Sequence, residues 1–367
     1  MRICIIAPEQ FPVPGDGSVE ICIWNIARRL ARRHQVTIIS RSTSGLPATD
    51  EAEQVRIIRL PSGTPLRYRD SVLSYLGAAE PFDIIQVDNR PLLLAAVKRQ
   101  HPATPVLLFL HSLTFVPPGS RIAASLALAD AVAANSRSLQ QRLARRFPGL
   151  HSRLRVVPLG ADLSRFVPVQ PQEKARLRAK YGLAPDFTVL FVGRVIPRKG
   201  VPVLIRAMHR LNRQMPARLL IAGGGKPPYI RRLKLLARRL GVRVSFLGSI
   251  PHEDIHSLYQ SADCFICPSQ RHESFGLVNV EAMATGLPVI ASSNGGIREI
   301  ITSGQNGYLV KQYRSPVPFA RRMLQIGRSP SLAARIGLQG RTDALQMFEW
   351  QHTAELLENL YLKLAPQ

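Results

Sequence analysis

The stretch Cys264-Phe265-Ile266-Cys267-Pro268-Ser269-Gln270-Arg271-His272-Glu273-Ser274-Phe275-Gly276-Leu277-Val278-Asn279-Val280-Glu281-Ala282-Met283-Ala284-Thr285-Gly286 decides the fold. Its first four residues are apolar and β-prone and end at Pro268-Ser269, as a strand buried in a parallel sheet does. Leu277 to Ala284 then reads as a helix closed by Gly286. Strand, loop and helix in this order belong to an open α/β sheet, where ligands bind beyond the carboxyl ends of the strands. Two carboxylates fall at that end: Glu273 in the loop and Glu281 one turn into the helix. The amides of Gly276 and Leu277, after Ser274 and Phe275, open the helix between them, and a helix N-terminus accepts anions. This arrangement suits a ligand with hydroxyls on both sides of a phosphate, as in a nucleotide sugar. Two solvated surface glutamates are the plain alternative.

A second anion site is predicted upstream, in Val189-Leu190-Phe191-Val192-Gly193-Arg194-Val195-Ile196-Pro197-Arg198-Lys199-Gly200. Here a buried strand runs into a tight turn at Gly193 that presents Arg194 and Lys199, and a helix begins near Val201. Arginine offers phosphate a planar fork and lysine a mobile point charge. Two solvated cations in a very basic chain are the alternative.

Working outward, two βα series emerge. The first has strands near 3–7, 36–40, 56–60, 84–87, 106–110, 131–134 and 155–157, with helices over 19–33 and 138–146. The second has strands near 189–192, 219–222, 244–247, 264–267 and 289–291. A polar, proline-containing stretch over 161–186, around a short helix at 173–180, reads as the connection between them. Parallel strands with helical crossovers make doubly wound sheets, so the fold class is α/β with two Rossmann-like domains. The expected boundaries are 1–168, 169–348 and a final helix over 349–367.

Several motifs carry less than they suggest. His252-Glu253-Asp254-Ile255-His256 matches a zinc-protease pattern. It follows Pro251, however, and reads as a helix start with acidic residues in its first turn. Cys264 and Cys267, three apart on a strand, point to opposite faces and are expected in the core rather than as a redox pair. No Asp-x-Asp metal clamp and no phosphate-binding P-loop occurs in the sequence.

Taken together, the Glu-x7-Glu pair, Gly193-Arg194-x-x-Pro197-x-Lys199-Gly200, Gly295-Gly296-Ile297-Arg298-Glu299-Ile300 and Asn306-Gly307-Tyr308-Leu309-Val310 resemble the retaining glycosyltransferases of family 4, of GT-B fold. The resemblance covers nearly the whole chain. The opening over 8–20 is similar to a bacterial branch that includes spore-coat-associated members. The resemblance implies two domains facing each other across a deep cleft, with the C-terminal helix crossing back to the first. It further implies transfer of a hexosyl group from a nucleotide diphosphate sugar, UDP-linked by family frequency, to a cell-envelope, coat or glycan acceptor, with retention. Arg194 and Lys199 then neutralise the diphosphate in place of a metal, so no cofactor is expected. Glu281 holds the ribose, Glu273 contacts the donor sugar, and Gly193, Ser274, Phe275, Gly276 and Leu277 line the donor. His111, after the strand 106–110, stands beside the sugar; a structural turn histidine is the alternative. The family's two adjacent glycines in the first loop correspond here to Gly17 and Ser18, an imperfect match that a plain tight turn also explains. A coat or binding protein without turnover, or a sugar-nucleotide epimerase, are the rival functions.

With 367 residues the chain is long enough for two cores, and no apolar run in it approaches a membrane span. The absence of a signal-like N-terminus and the four cysteines point to a reducing cytoplasm. The formal net charge is +25, and 14 Lys or Arg with no Asp or Glu fall between Asp186 and Glu253. Such a field favours arrival of a diphosphate. A diphosphate needs only two or three cations, which leaves the rest for solvation or an anionic surface. Nucleic acid is not expected as partner, since aromatics are 6% and are not interleaved with the cations. On the helix over 19–33, Arg28, Arg29, Arg32 and Arg33 share one side beyond Trp24, a patch able to rest on the inner face of an anionic membrane; a helix with its apolar face on the sheet and its arginines in water is the plain alternative.

Overall fold

Runs rich in Val, Ile, Leu and Ala, too short for helices and too apolar for solvent, build the centre of each half of the chain. The computed structural model describes residues 1–11 and 18–365, Ser18 through its backbone only. The strands are β1 (Arg2–Gln10), β2 (Gln35–Arg41), β3 (Thr49–Ala52), β4 (Val55–Leu60), β5 (Ile84–Asp88), β6 (Val106–Leu110), β7 (Ala131–Ala134) and β8 (Leu154–Val156) in the first half. The second half has β9 (Phe187–Val192), β10 (Ala217–Ala222), β11 (Val244–Gly248), β12 (Cys264–Cys267), β13 (Val289–Ser292) and β14 (Tyr308–Val310). Their sheets run β3-β4-β2-β1-β5-β6-β7-β8 and β11-β10-β9-β12-β13-β14. All neighbours pair in parallel except β3 with β4. Residues such as Ile5, Leu108, Val189 and Ile266 are fully buried, as covering of both sheet faces by helices requires.

The parallel strands of each sheet have one point where their order reverses. In the first it lies between β1 and β5, in the second between β9 and β12. Crevices beyond the carboxyl ends of strands at such points are where doubly wound sheets take ligands.

The two compact units are Met1–Leu159 with Trp350–Gln367, and Gly160–Glu349. The connection therefore joins the second unit earlier than residue 169. Ala161 donates its amide to Phe348 O, and Arg341 reaches Phe166 O at 2.8 Å, which ties 160–168 down. In the first unit the helix Trp350–Leu364 packs on the helix Ser18–Leu30; Glu358 pairs with His34 at 2.8 Å, and Thr353 Oγ1 donates to Pro158 O.

Two strands escaped the sequence reading. β3 is polar and half-exposed (Thr-Asp-Glu-Ala), so no period-two apolar signal marks it. It forms a hairpin with β4 through Glu53 and Gln54, both at positive φ, a mirror-image turn made without the usual Asn-Gly. β14 has only three residues. No helix among the described residues is long and apolar enough to cross a membrane.

Gly200 joins the turn at Pro197–Lys199 to the helix Val201–Asn212 with φ +76°, and a Cβ there would lie 2.0 Å from Pro268 O. Gly200→Ala is expected to cost about 3 kcal/mol, combining left-handed strain with a backbone collision. Calorimetry should show the second unit melting earlier; an unchanged transition would mean that the turn can move off β12 freely.

Candidate active site

The β9 and β12 loops meet because their strands are parallel neighbours, with Cys264 paired to Val189 and Phe265 to Leu190. Gln270 N donates to Arg198 O at 2.7 Å, and the Gln270 amide reaches Pro268 O and Tyr313 O. Lys199 is thereby brought to Glu273, with Nζ 2.6 Å from Oε2. Arg194, on the same turn, is exposed and makes no ion pair among the described residues.

Glu273 is held from several sides. Ser269 Oγ donates to Oε2 at 3.0 Å, and the Glu273 amide donates to Asn294 Oδ1. Asn294 Nδ2 in turn binds Ser269 O at 2.7 Å, and Gly296 N donates to Glu273 O. Gly295, at φ +55°, would put a Cβ 1.9 Å from Glu273 O, so only glycine lets the loop after β13 approach this closely. Burial pushes the Glu273 carboxyl up, but the Lys199 ammonium, with the Ser269 hydrogen bond, outweighs it and holds the group below its ordinary range. Glu273 is therefore an anion at neutral pH.

Glu281 lies in the helix Leu277–Ala284, opened by Gly276 at φ +104°. Its side chain is 5% exposed and both oxygens are occupied. His252 Nε2 stands 3.1 Å from Oε1, and Tyr259 donates its hydroxyl to Oε2 at 2.9 Å. Arg165 Nη2 lies 3.3 Å from His252 Nδ1. An arginine can only donate, so Nδ1 accepts and Nε2–H donates to Glu281. Sequence reasoning treated His252 as part of a helix start and missed this contact. Pro251–Asp254 instead form a turn ahead of the helix Ile255–Ser261, which frees His252 to face Glu281. The adjoining Phe275 is buried and packs edge-on against Phe348, and Ser274 is buried.

His111 belongs to the other unit. It follows β6, stacks on Phe109 with ring centroids 4.4 Å apart, and places Nε2 2.7 Å from Asp88 Oδ1. Its amide donates to Asn89 Oδ1, and Asn135 donates to its carbonyl. Gly17 and the side chain of Ser18 lie outside the described residues. Cys264 and Cys267 are buried, as expected, and burial pushes both thiols up, away from thiolate chemistry. Among the described residues no cluster of three His, Cys, Asp or Glu side chains is placed to hold a metal.

The Lys199–Glu273 pair sets a pH signature. With the Glu273 carboxyl depressed in the folded chain, the pair's stabilisation is present above the ordinary carboxylate range. It is lost as pH falls through the depressed value. Lys199→Met leaves burial as the main influence, so Glu273 should titrate above its ordinary value instead. Carboxyl-carbon NMR of labelled glutamate across pH checks this, and an unmoved Glu273 titration would contradict it.

Two family descriptions match the chain: Glycosyltransferase Family 4 over residues 19–165 and Glycosyl transferases group 1 over residues 173–343. Spore coat protein SA of Bacillus subtilis is 31% identical, covering 99% of this chain and 100% of its own. Among solved structures, sucrose-phosphate synthase of Thermosynechococcus elongatus superposes with TM-score 0.85 at 26% identity, covering 99% of this chain and 98% of its own. HepE of Anabaena, solved with UDP and glucose, superposes with TM-score 0.83 at 23% identity, covering 99% and 100%. With both units matched and a relative aligned end to end, the chain belongs to glycosyltransferase family 4 and has the GT-B fold.

Proposed function

We propose that the protein transfers a hexosyl group from a nucleotide diphosphate sugar, UDP-linked, to an envelope, coat or glycan acceptor with retention of anomeric configuration. The observation that carries this reading is the pair of carboxylates, Glu273 and Glu281, flanking the start of the helix Leu277–Ala284 with Lys199 on Glu273. Glu281 takes the ribose hydroxyls. Lys199 and Arg194 take the diphosphate, with Arg194 exposed and ready to receive it. As the glycosidic bond breaks, charge grows on the leaving phosphate, and fixed cations lower that barrier by about 3–4 kcal/mol per key contact in comparable cases. Glu273, kept anionic, accepts hydrogen bonds from donor-sugar hydroxyls, and the resemblance assigns His111 to the same sugar. The leaving phosphate takes the acceptor's proton on the face it departs from, so no resident metal or covalent nucleophile is needed.

Incubation with α-linked UDP-, GDP- and ADP-hexoses and proton NMR of the product tests this reading. An α-linked product formed in EDTA is expected, with UDP-hexose the best donor. A β-linked product, or activity restored only by a divalent cation, would overturn it.

Peripheral contact with an anionic membrane is part of the proposal, and a second basic helix offers the stronger surface for it. Arg28 and Arg29 are half-buried and bind Asn25, and Arg33 pairs with Glu358. The helix Pro227–Arg239 instead exposes Arg231, Arg232, Lys234, Arg238 and Arg239 around an exposed Leu235. At about 1 kcal/mol per basic residue near the surface, five cations suffice for salt-sensitive adsorption. Sedimentation with anionic but not neutral vesicles, abolished by a combined Arg231→Glu, Arg232→Glu and Arg238→Glu change, is expected. Equal binding by that variant would exclude this helix as the contact.

A further inference from the structure

A buried chain of hydrogen bonds in the first unit leads from the C-terminal helix to His111. Gln86 and Asp88 are two apart on β5, so their side chains share one face of the strand. Both are fully buried, as is Tyr361 on the helix Trp350–Leu364. Tyr361 donates its hydroxyl to Gln86 Oε1. Gln86 Nε2 donates to Asp88 Oδ2 at 2.7 Å, and Asp88 Oδ1 is 2.7 Å from His111 Nε2.

The direction of donation runs one way along this chain. An ionised carboxylate only accepts, so Asp88 draws the amine side of Gln86 and the Nε2–H of His111. Gln86 must then turn its carbonyl away from Asp88, into the core, where an unsatisfied oxygen is costly. The Tyr361 hydroxyl supplies the one donor that this carbonyl meets among the described residues. Burial holds that hydroxyl protonated, far above its ordinary range, so it stays a donor at every working pH.

We infer that Tyr361 is a positioning residue for His111: through Gln86 and Asp88 it fixes the imidazole's orientation and its Nε2–H tautomer, leaving Nδ1 as the nitrogen free to face a substrate. The catalytic consequence rests on the reading of His111 as a donor-sugar contact; the tautomer itself does not. The C-terminal helix is on this account part of the active machinery and not only packing. Nothing in the Tyr361 ring need touch substrate for this to hold.

Tyr361→Phe keeps the ring in place and removes only the donor. Turnover is expected to fall three- to tenfold with the donor KM within twofold, because the imidazole is misplaced while the nucleotide contacts of the second unit are untouched. Nitrogen NMR of histidine-labelled protein, without any substrate, should show His111 as the Nε2–H tautomer in the parent and a mixture in the variant. Gln86→Leu, which removes the middle of the chain, should reproduce both effects; it stands in if Tyr361→Phe folds poorly. Unchanged His111 nitrogen shifts together with unchanged turnover would overturn the inference. His111→Asn separates the two claims: if it retains full turnover, the assignment of His111 to the sugar fails, while the tautomer measurement still decides the role of Tyr361. If His111→Asn is inactive and Tyr361→Phe behaves as the parent in both readouts, only the inference about Tyr361 falls.

Discussion

Lys199 and Glu273, 74 residues apart in sequence, meet because β9 and β12 are parallel neighbours at the strand-order reversal. Two glycines of the second unit serve that adjacency. Gly200 lets the β9 turn close on Pro268 O, and Gly295 lets the β13 loop close on Glu273 O. Replacing either with a residue bearing a Cβ forces apart two loops whose side chains must sit within hydrogen-bond reach. The ion pair is thus a readout of backbone approach, and the approach is set by where glycines fall.

The carboxyl-end placement of Glu273, Glu281, Lys199 and His111 was legible in the sequence because it needs only strand ends and helix starts. β6, β7 and β12 and the helix Leu277–Ala284 begin and end where the apolar runs and the flanking Pro and Gly predict. What was not legible is what each carboxylate touches. His252 sits in a motif whose local chemistry says helix start, and only the turn at Pro251–Asp254 aims its ring at Glu281. Ser269 and Asn294 carry no signal in sequence; a serine after a strand and an asparagine before two glycines read as ordinary loop residues. β3 was missed because a polar edge strand has no buried face to impose a period.

The expected arginine patch on the first helix meets partners that its spacing does not reveal. Spacing at i, i+1, i+4 and i+5 put four cations on one side, but spacing does not count the acceptors nearby. Asn25, one turn earlier, captures Arg28 and Arg29, and Glu358 arrives from the far end of the chain to meet Arg33. Between Asp186 and Glu253 there is no carboxylate in sequence to do the same. The exposed cations of the helix Pro227–Arg239 and exposed Arg32 therefore keep their field, whereas Arg28 has Glu53 and Arg33 has Glu358 beside it.

Glu273, Glu281 and Asp88 are stabilised by two different means, and the difference bears on what each can do. Glu273 has a cation at 2.6 Å, so its charge is matched directly. Glu281 and Asp88 rely on hydrogen-bond donors: His252 and Tyr259 for the first, Gln86 and His111 for the second. A carboxylate satisfied by donors can exchange one of them for a ligand hydroxyl at small net cost, because one hydrogen bond replaces another. One satisfied by a full charge gives up more unless the incoming group is itself charged or the cation is drawn off. A diphosphate reaching Lys199 would draw it off in just this way, leaving Glu273 an unbalanced anion at the moment when sugar hydroxyls arrive to be bound. On the proposed reading of the site, the type of partner each carboxylate holds would set an order: phosphate on the cations first, sugar on Glu273 second.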